Sequence, residues 1–367
     1  MSFSIKTAIS ECKSIDEFLK GWQVGSDDLI ISNEYILKPS CDNIPCDTLF
    51  QEKFGKGEPT DEMIDAMLKE VENKNYKRII AIGGGTVIDI AKLFVFGSNL
   101  KCAEIFEKGA ALPKVREFIA IPTTCGTGSE VTSISIVAFL KKNTKVGLAI
   151  PALFPDEAVL IASLLQSMPF EVFATSSIDA LIHAVESYVS PRATLFTRAL
   201  GKEAITLILK GYKNLVVSGK KNTLPEDISD FLAASTMAGA AFSNAGCAAV
   251  HALSYPIGAI YHVPHGKANY LMFSSVFTAY KEKGADLSVL EEVIASALDC
   301  SMTDVWNKLF ELVDNVLPRE PLSALGIDEN NCLEMAASVI QNQQRLLINN
   351  PTPLTEIEIS EIYKRCL

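Results

Sequence analysis

Residues 78–92 read RIIAIGGGTVIDIAK, an apolar run followed by three glycines and the start of a second ordered segment. The run RIIAI predicts a buried β-strand, and the residues after the glycines predict a helix. Glycines at such a turn let the backbone approach a phosphate, whose oxygens the amides of the turn and of the helix start then face. The motif is neither GxGxxG nor a Walker A loop, so a tight turn without a ligand stays an alternative interpretation.

A second turn of small residues follows another predicted strand. The strand FIAI (118–121) leads into PTTCGTGSE (122–130). Ligands of open parallel sheets bind at the carboxyl ends of the strands. Two such turns in one sheet therefore favour a nucleotide-binding edge over two structural turns.

The rest of the pattern predicts two domains of different class. Two further strands are predicted at DLIIS (28–32) and AVLIA (158–162). A helix capped by Thr60 is predicted at 60–71. The segments on either side of the basic turn KKNTK (141–145) predict a β-hairpin. From about residue 165 onward the patterns are helical. We therefore predict an α/β amino-terminal dinucleotide-binding domain at 1–163, with a mostly parallel sheet, and an all-α carboxy-terminal domain for metal and substrate at 164–367.

Composition and charge narrow the class of protein. The chain has 367 residues, which exceeds one ordinary core, and its net charge of −11 argues against a nucleic-acid partner. No apolar run approaches the ~18 residues that cross a membrane. The nine scattered cysteines lack a CxxC pair, and the first residues lack the pattern of a signal peptide. We expect a cytoplasmic protein that acts on a small molecule, without a nucleic-acid or membrane partner.

The four histidines of the chain are concentrated in two short segments. Three lie in HALSYPIGAIYHVPHG (251–266), and the fourth, His183, stands four residues after Asp179. That spacing places both side chains on one face of a helix. His251 on a helix and His265 on the loop after it could reach the same point. Three imidazoles and a carboxylate suit Fe(II) or Zn(II), although each histidine alone could be a hydrogen-bonded structural residue. A metal site combined with a nucleotide turn indicates hydride transfer assisted by a Lewis acid.

Five motifs, in order along the chain, resemble those of the iron-dependent (group III) alcohol dehydrogenase family. They are GGGTVIDIAK, PTTCGTGSE, SSIDALIHAVESYVS, HALSYPIGAIYHVPHGKAN and LLINNPTPLTEIEISEIY. The similarity runs from residue 83 to the carboxy terminus. It implies the fold shared with dehydroquinate synthase, with an α/β domain for the dinucleotide, an all-α metal-binding domain and an active site in the cleft between them.

The resemblance also implies roles for single positions. The metal ligands are matched by Asp179, His183, His251 and His265. The pyrophosphate turn is matched by Gly83, Gly84, Gly85, Thr86 and Asp89. The second cofactor turn is matched by Thr123, Thr124 and Thr127, the lysine near the nicotinamide ribose by Lys145, and an aromatic residue of the substrate pocket by Phe242.

Two positions depart from the family pattern. Many relatives carry a proton-relay histidine where this chain has Tyr255, so the proton needs another route. His262 is the nearest candidate in the sequence, and a ribose hydroxyl with water is the alternative; Tyr255 and His262 are thus the candidate catalytic residues. Many NAD-specific relatives have Asp where this chain has Asn33, which neither repels nor attracts a 2′-phosphate strongly. The expected cofactor is NAD, with NADP not excluded.

Within the family, SNEY (32–35), GEPTDEM (57–63), PTTCGTGSEVT and HALSYP are most similar to members from anaerobic bacteria that act on 4-hydroxybutyrate. The resemblance thus implies interconversion of 4-hydroxybutyrate and succinate semialdehyde with NAD and Fe²⁺, or Zn²⁺ in its place, by a homodimer. The distant carboxylate then requires a cation. Arg345 ranks above Lys267 because a guanidinium binds a carboxylate through two hydrogen bonds.

Three other functions stay open at this point. A relative could use zinc on a diol or a simple alcohol. A lyase similar to dehydroquinate synthase would share the two-domain plan, although HALSYPIGAIYHVPHG and PTTCGTGSE fit it poorly. A non-catalytic nucleotide-binding protein is the third, and the presence of all four ligand-type residues weighs against it.

Overall fold

A six-stranded sheet, parallel throughout, forms the centre of the first of two units, Ile5–Met168. The computed structural model describes residues 3–97, 99–142, 144–219 and 222–367. The strands of this unit are β1 (Ala8–Glu11), β2 (Asp28–Ser32), β3 (Asp47–Phe50), β4 (Arg78–Gly83), β5 (Glu117–Pro122), β6 (Ile134–Phe139), β7 (Thr144–Ala149) and β8 (Glu157–Leu160). The order in the sheet is β1-β8-β5-β4-β2-β3, and β6 and β7 form a separate antiparallel hairpin. The predicted strands and hairpin are confirmed; Asn143, in its basic turn, lies outside the described residues.

Helices connect and cover these strands. They are α1 (Ile15–Gly21), α2 (Glu34–Ser40), α3 (Asp61–Glu70), α4 (Gly85–Leu93) and α5 (Cys102–Lys108). The predicted cap of α3 is present, because the Thr60 hydroxyl accepts a hydrogen bond from the Met63 amide. The apolar face of α3 packs with β4 and α4 in one buried core. After Arg78, β4 is apolar and buried, as expected for a central strand of a parallel sheet that is covered by helices.

The second unit, Pro169–Leu367 with Phe3 and Ser4, is helical. Its helices are α6 (Phe170–Val189), α7 (Leu195–Val217), α8 (Ile228–Ala245), α9 (Ala249–Tyr261), α10 (His265–Glu282), α11 (Ser288–Leu298), α12 (Val305–Val316), α13 (Glu329–Asn342), α14 (Gln344–Leu347) and α15 (Glu356–Lys364). Small residues allow close packing here: a Cβ on Gly211 of α7 would lie 2.4 Å from the Phe231 ring of α8. The predicted class, an α/β part followed by an all-α part, is confirmed. Among the described residues, no helix is long and apolar enough to cross a membrane.

Candidate functional site

Three helices of the second unit bring the aspartate and three of the histidines together. Asp179 and His183 lie one turn apart on α6, and His251 lies in the first turn of α9. His265 is the first residue of α10, not a loop residue as the sequence pattern indicated, because Pro264 provides the N-cap and the helix begins directly after it. Asp179, His183 and His251 are only 2%, 4% and 3% exposed. The His265 side chain is 37% exposed, so it is the most open member of this metal cluster.

The donor atoms form two overlapping sets, Asp179 with His251 and His265, and His183 with Cys247 and His251, and within each set they lie within 4.8 Å of one another. Asp179 Oδ1 lies 3.7 Å from His251 Nε2 and 4.0 Å from His265 Nε2, and Asp179 Oδ2 lies 3.9 Å from His183 Nδ1. These separations exceed hydrogen-bond distance. Ligands about 2.1 Å from a tetrahedral ion are themselves roughly 3.4 Å apart, so little adjustment would be needed. Among the residues that the structure describes, none forms a hydrogen bond with the buried His251 Nε2, which fits a metal-binding atom.

A buried glutamate holds His251 in this orientation. The Glu186 carboxylate accepts hydrogen bonds from the amides of Ala248 and Val250, at 3.0 and 2.6 Å. Glu186 Oε2 also lies 2.6 Å from His251 Nδ1. A ligating histidine commonly donates its other ring N–H to a carboxylate, which fixes the tautomer. Glu186 stands three residues after His183 on the same helix, and this spacing was the signal that sequence reasoning missed.

Two further polar residues adjoin the metal cluster. Asn269 Nδ2 donates to Asp179 Oδ1 at 2.7 Å and lies 3.2 Å from His265 Nε2. The buried Cys247 offers a sulfur whose distance to donor atoms of His183 and His251 is within 4.8 Å. Neither residue was a predicted site residue, although Asn269 stands four residues after His265 on α10, a spacing that could have indicated it.

The three imidazoles around Asp179 affect the pKa of its carboxyl group. Burial alone would raise the pKa of Asp179, but the imidazoles of His183, His265 and His251 together hold that pKa below its ordinary value. The carboxylate therefore stays ionised in a buried position, as a metal ligand must.

Candidate substrate residues lie on the same unit. The Phe242 ring stacks on the His183 ring, with centroids 4.3 Å apart. The Tyr255 ring lies 6.1 Å from the His265 ring, and the Tyr255 hydroxyl accepts a hydrogen bond from Arg345 Nη2 at 3.0 Å. Tyr255 thus lies between Arg345 and His265. Lys267 instead forms an ion pair with Glu320 at 2.9 Å.

His262 occupies a different environment. It ends α9 in a left-handed conformation with φ 56°, and its side chain is exposed. No contact among the described residues joins it to the metal cluster. The structure thus brings Tyr255, but not His262, next to a ligand-type histidine.

The glycine turn and the second small-residue turn meet at one edge of the first unit's sheet. The Thr123 amide donates to the Gly83 carbonyl at 3.1 Å. A Cβ on Gly85 would lie 2.7 Å from the Thr127 side chain, and one on Gly84 would lie 3.3 Å from the Thr124 side chain. A side chain at position 85 would thus force Thr127 to move, and one at position 84 would press on Thr124. Gly84, Gly85, Thr86, Thr124 and Thr127 stay partly exposed. The edge therefore presents backbone amides and hydroxyl groups, the donors that phosphate prefers.

Asp89 and Lys92 of α4 form hydrogen bonds with residues of the second turn and of β6. The Asp89 carboxylate accepts hydrogen bonds from the Ser129 hydroxyl and from the Ile136 amide. The buried Lys92 ammonium donates to the Ser129 and Thr132 hydroxyls and to the Ile134 carbonyl. Burial lowers the pKa of Lys92 although Asp89 lies nearby. These contacts give Asp89 a positioning role between the two turns.

The other candidate cofactor residues also have protein partners. Lys145, on β7, forms an ion pair with Glu58. The Asn33 side chain is buried, and its amide donates to Gln51 Oε1 and Glu52 Oε2, both at 3.0 Å. A cofactor contact by either residue stays a prediction.

Two protein-family models together match most of the chain. The model of the Fe-containing alcohol dehydrogenase family, C-terminal, matches residues 173–367, and that of iron-containing alcohol dehydrogenase matches residues 36–162. The chain belongs to the iron-containing alcohol dehydrogenase family. It is therefore an oxidoreductase.

Individual relatives of this dehydrogenase family cover most of the chain. It is 44% identical to the 4-hydroxybutyrate dehydrogenase of Clostridium kluyveri, over 95% of both chains. It is 34% identical to the long-chain-alcohol dehydrogenase 1 of Geobacillus thermodenitrificans, over 84% of this chain and 79% of that one. Among solved structures, the sulfoacetaldehyde reductase of Bifidobacterium kashiwanohense in complex with NAD⁺ has the same fold. Its TM-score is 0.85 at 22% identity, over 100% of this chain and 98% of that one.

Proposed function

We propose that this iron-containing alcohol dehydrogenase interconverts 4-hydroxybutyrate and succinate semialdehyde with NAD. The observation that carries the substrate assignment is Arg345, whose guanidinium binds the Tyr255 hydroxyl beside His265. A substrate with a distant carboxylate needs such a cation close to, but not among, the metal ligands. The 44% identity to the 4-hydroxybutyrate dehydrogenase of C. kluyveri supports the same assignment.

The metal cluster fits a divalent cation. Asp179, His183, His251 and His265 would hold Fe²⁺, with Zn²⁺ as the substitute that the same ligands accept. When bound, the metal would polarise the substrate oxygen, and NAD would accept the hydride. Glu186 keeps the His251 ring in place, Phe242 covers the His183 ring, and Arg345 orients the substrate through its carboxylate.

Reduction of the aldehyde adds a proton to the substrate oxygen, and oxidation of the alcohol releases that proton. Tyr255 is the side chain beside His265, and because its oxygen accepts from Arg345 its own hydrogen stays free to be donated. We place Tyr255 in the pocket as a substrate-contacting residue. The exposed position of His262 favours the route through a ribose hydroxyl and water over a route through that imidazole.

The cofactor assignment rests on the two turns of the first unit. We propose that residues 83–86 and the threonines of the second turn, Thr123, Thr124 and Thr127, bind the pyrophosphate, with Lys145 near the nicotinamide ribose. On this proposal residues 1–163 form the dinucleotide domain and 164–367 the metal and substrate domain.

We also propose a cytoplasmic homodimer. All nine cysteines are free thiols, which supports a reducing compartment. Strand β1 forms one edge of the sheet and leaves Ile9 45% exposed, which supports an interface at that edge.

The deciding experiment is absorbance at 340 nm with purified protein, Fe²⁺ and NAD. We expect reduction of NAD with 4-hydroxybutyrate and a much lower kcat/KM with 1-butanol, which lacks the carboxylate. Equal kcat/KM for the two alcohols would contradict a carboxylate anchor and leave a general alcohol dehydrogenase.

A further inference from the structure

A glutamate outside all the recognised motifs lies at the nucleotide-binding edge of the sheet. Glu52 belongs to the turn Gln51–Lys53, directly after β3. Strand β3 pairs with β2 so that Phe50 lies opposite Ser32, and β2 pairs with β4 so that Ser32 lies opposite Ile82. The ends of these three parallel strands are therefore level, and Glu52 emerges beside Asn33 on the same edge as the glycine turn.

The protein holds the Glu52 carboxylate at the end of β2. Glu52 Oε1 accepts a hydrogen bond from the Glu34 amide at 2.6 Å, and Oε2 accepts one from Asn33 Nδ2 at 3.0 Å. Glu34 is the first residue of the short helix α2. Its amide already donates to the Glu52 carboxylate, so this amide is not available to a phosphate. A fixed negative charge thus stands at this position although residue 33 itself is neutral.

Asn33 has no donor left for a ligand. Its two amide hydrogens go to Gln51 Oε1 and Glu52 Oε2, and its side chain is buried. The Gln51 amide in turn donates to the Gly55 carbonyl at 2.9 Å. Asn33 is therefore a positioning residue for Glu52.

The cations of this region have other partners. Lys38 forms an ion pair with Glu34, and the Lys53 ammonium lies over the Phe50 ring, 5.1 Å from its centre. Glu52 is half-buried, so its charge is accessible at the edge of the sheet.

We infer that Glu52, held by Asn33, is the residue by which this chain selects NAD over NADP. Dinucleotide-binding sheets use an acid at the end of the strand next to the glycine turn, where it accepts a hydrogen bond from the ribose 2′-hydroxyl. In this chain the acid is Glu52, which follows β3 and whose carboxylate lies at the end of the neighbouring strand β2. The same carboxylate repels a 2′-phosphate. This inference rests on the proposal that the first unit binds a nicotinamide dinucleotide.

The test is direct binding of NADH and NADPH to the full-length protein, followed by the fluorescence of the reduced nicotinamide. Wild type is expected to bind NADH more tightly. Glu52→Gln removes the charge at constant size, and we expect the ratio of the two dissociation constants to move toward NADPH by about tenfold. Glu62→Gln is the matched control, an exposed glutamate on α3 of the same unit, and should leave the ratio unchanged.

Two further variants keep the test decisive. Glu52→Ala gives the same readout if the glutamine variant fails to fold, and Glu52→Asp, which retains the charge, should keep the preference for NADH. An unchanged ratio in Glu52→Gln or Glu52→Ala would overturn the inference while leaving the proposed function intact. Absence of saturable binding of either nucleotide to wild type would instead overturn the proposed cofactor.

Discussion

Glu186 Oε2 and His251 Nδ1 lie 2.6 Å apart in a fully buried contact between α6 and α9. The contact turns the other ring nitrogen of His251 toward Asp179, 3.7 Å away. Since the same carboxylate also accepts two backbone amides of the segment that opens α9, one side chain fixes both the helix start and the imidazole.

Glu186→Gln should weaken metal binding more than it weakens the fold. The amide keeps the size of the side chain but replaces one acceptor oxygen by a donor, so His251 loses its fixed orientation. We expect roughly 10–100-fold lower affinity for Fe²⁺ or Zn²⁺, as is usual when the partner of a ligating histidine is lost. Titration with a chelator buffer measures this, and an affinity equal to that of wild type would show that His251 does not need Glu186.

His265→Ala should remove most of the bound metal and abolish turnover while the far-ultraviolet circular dichroism stays unchanged. His265 is the most exposed of the four ligand-type residues, so its removal disturbs little packing. His262→Ala, three residues earlier and exposed, is the control, and should keep both the metal and the pH profile of kcat. Full metal occupancy with a normal rate in His265→Ala would refute the ligand assignment. A changed pH profile in His262→Ala would assign the proton route to that imidazole.

Arg345→Gln should raise the KM for 4-hydroxybutyrate by roughly 10–100-fold, the range for loss of a charged hydrogen-bond partner. The KM for 1-butanol should stay nearly unchanged because that alcohol has no carboxylate. Lys267→Gln is the matched control, since the Lys267 ammonium is paired with Glu320. Should Lys267→Gln show the selective effect and Arg345→Gln none, the anchor would be Lys267.

Lys92→Met should destabilise the protein by about 3 kcal/mol, because it removes a buried cation and leaves Asp89 without its charged partner. Urea denaturation measures the change. Lys77→Met is the control: the ammonium of Lys77 pairs with Asp27 on an exposed surface, so its loss should not change the urea midpoint measurably. Similar midpoints for both variants would mean that the hydroxyl groups around Asp89 replace the lysine.

Within the six-stranded sheet, the sequence predicted the strands that are buried along most of their length. Strand β4 is apolar from Ile79 onward because helices cover it, and the pattern reveals it directly. Strands β1 and β3 went unnoticed, since β1 is mostly exposed at the sheet edge and β3 buries only its last two residues. An edge strand has no continuous apolar signal to detect.

Some contacts of the candidate site could likewise be predicted from the sequence, and others could not. Asp179 and His183 could be paired from sequence because a helix fixes the i, i+4 relation. The contact between Asn33 and Glu52 could not, because it depends on the pairing of β2 with β3. The Arg345–Tyr255 contact joins residues ninety positions apart, which no local pattern encodes.

The contacts of Lys92 have a consequence for binding entropy. One ammonium group joins helix α4 to the Ser129 and Thr132 hydroxyls and to the start of β6. The spacing of the glycine turn and the threonine turn is thus set when the chain folds, before any dinucleotide arrives. A ligand that meets a preorganised surface loses less free energy to ordering loops. Substitution of Lys92 should therefore weaken dinucleotide affinity although this side chain is buried, because the backbone of both turns gains freedom that binding must then remove.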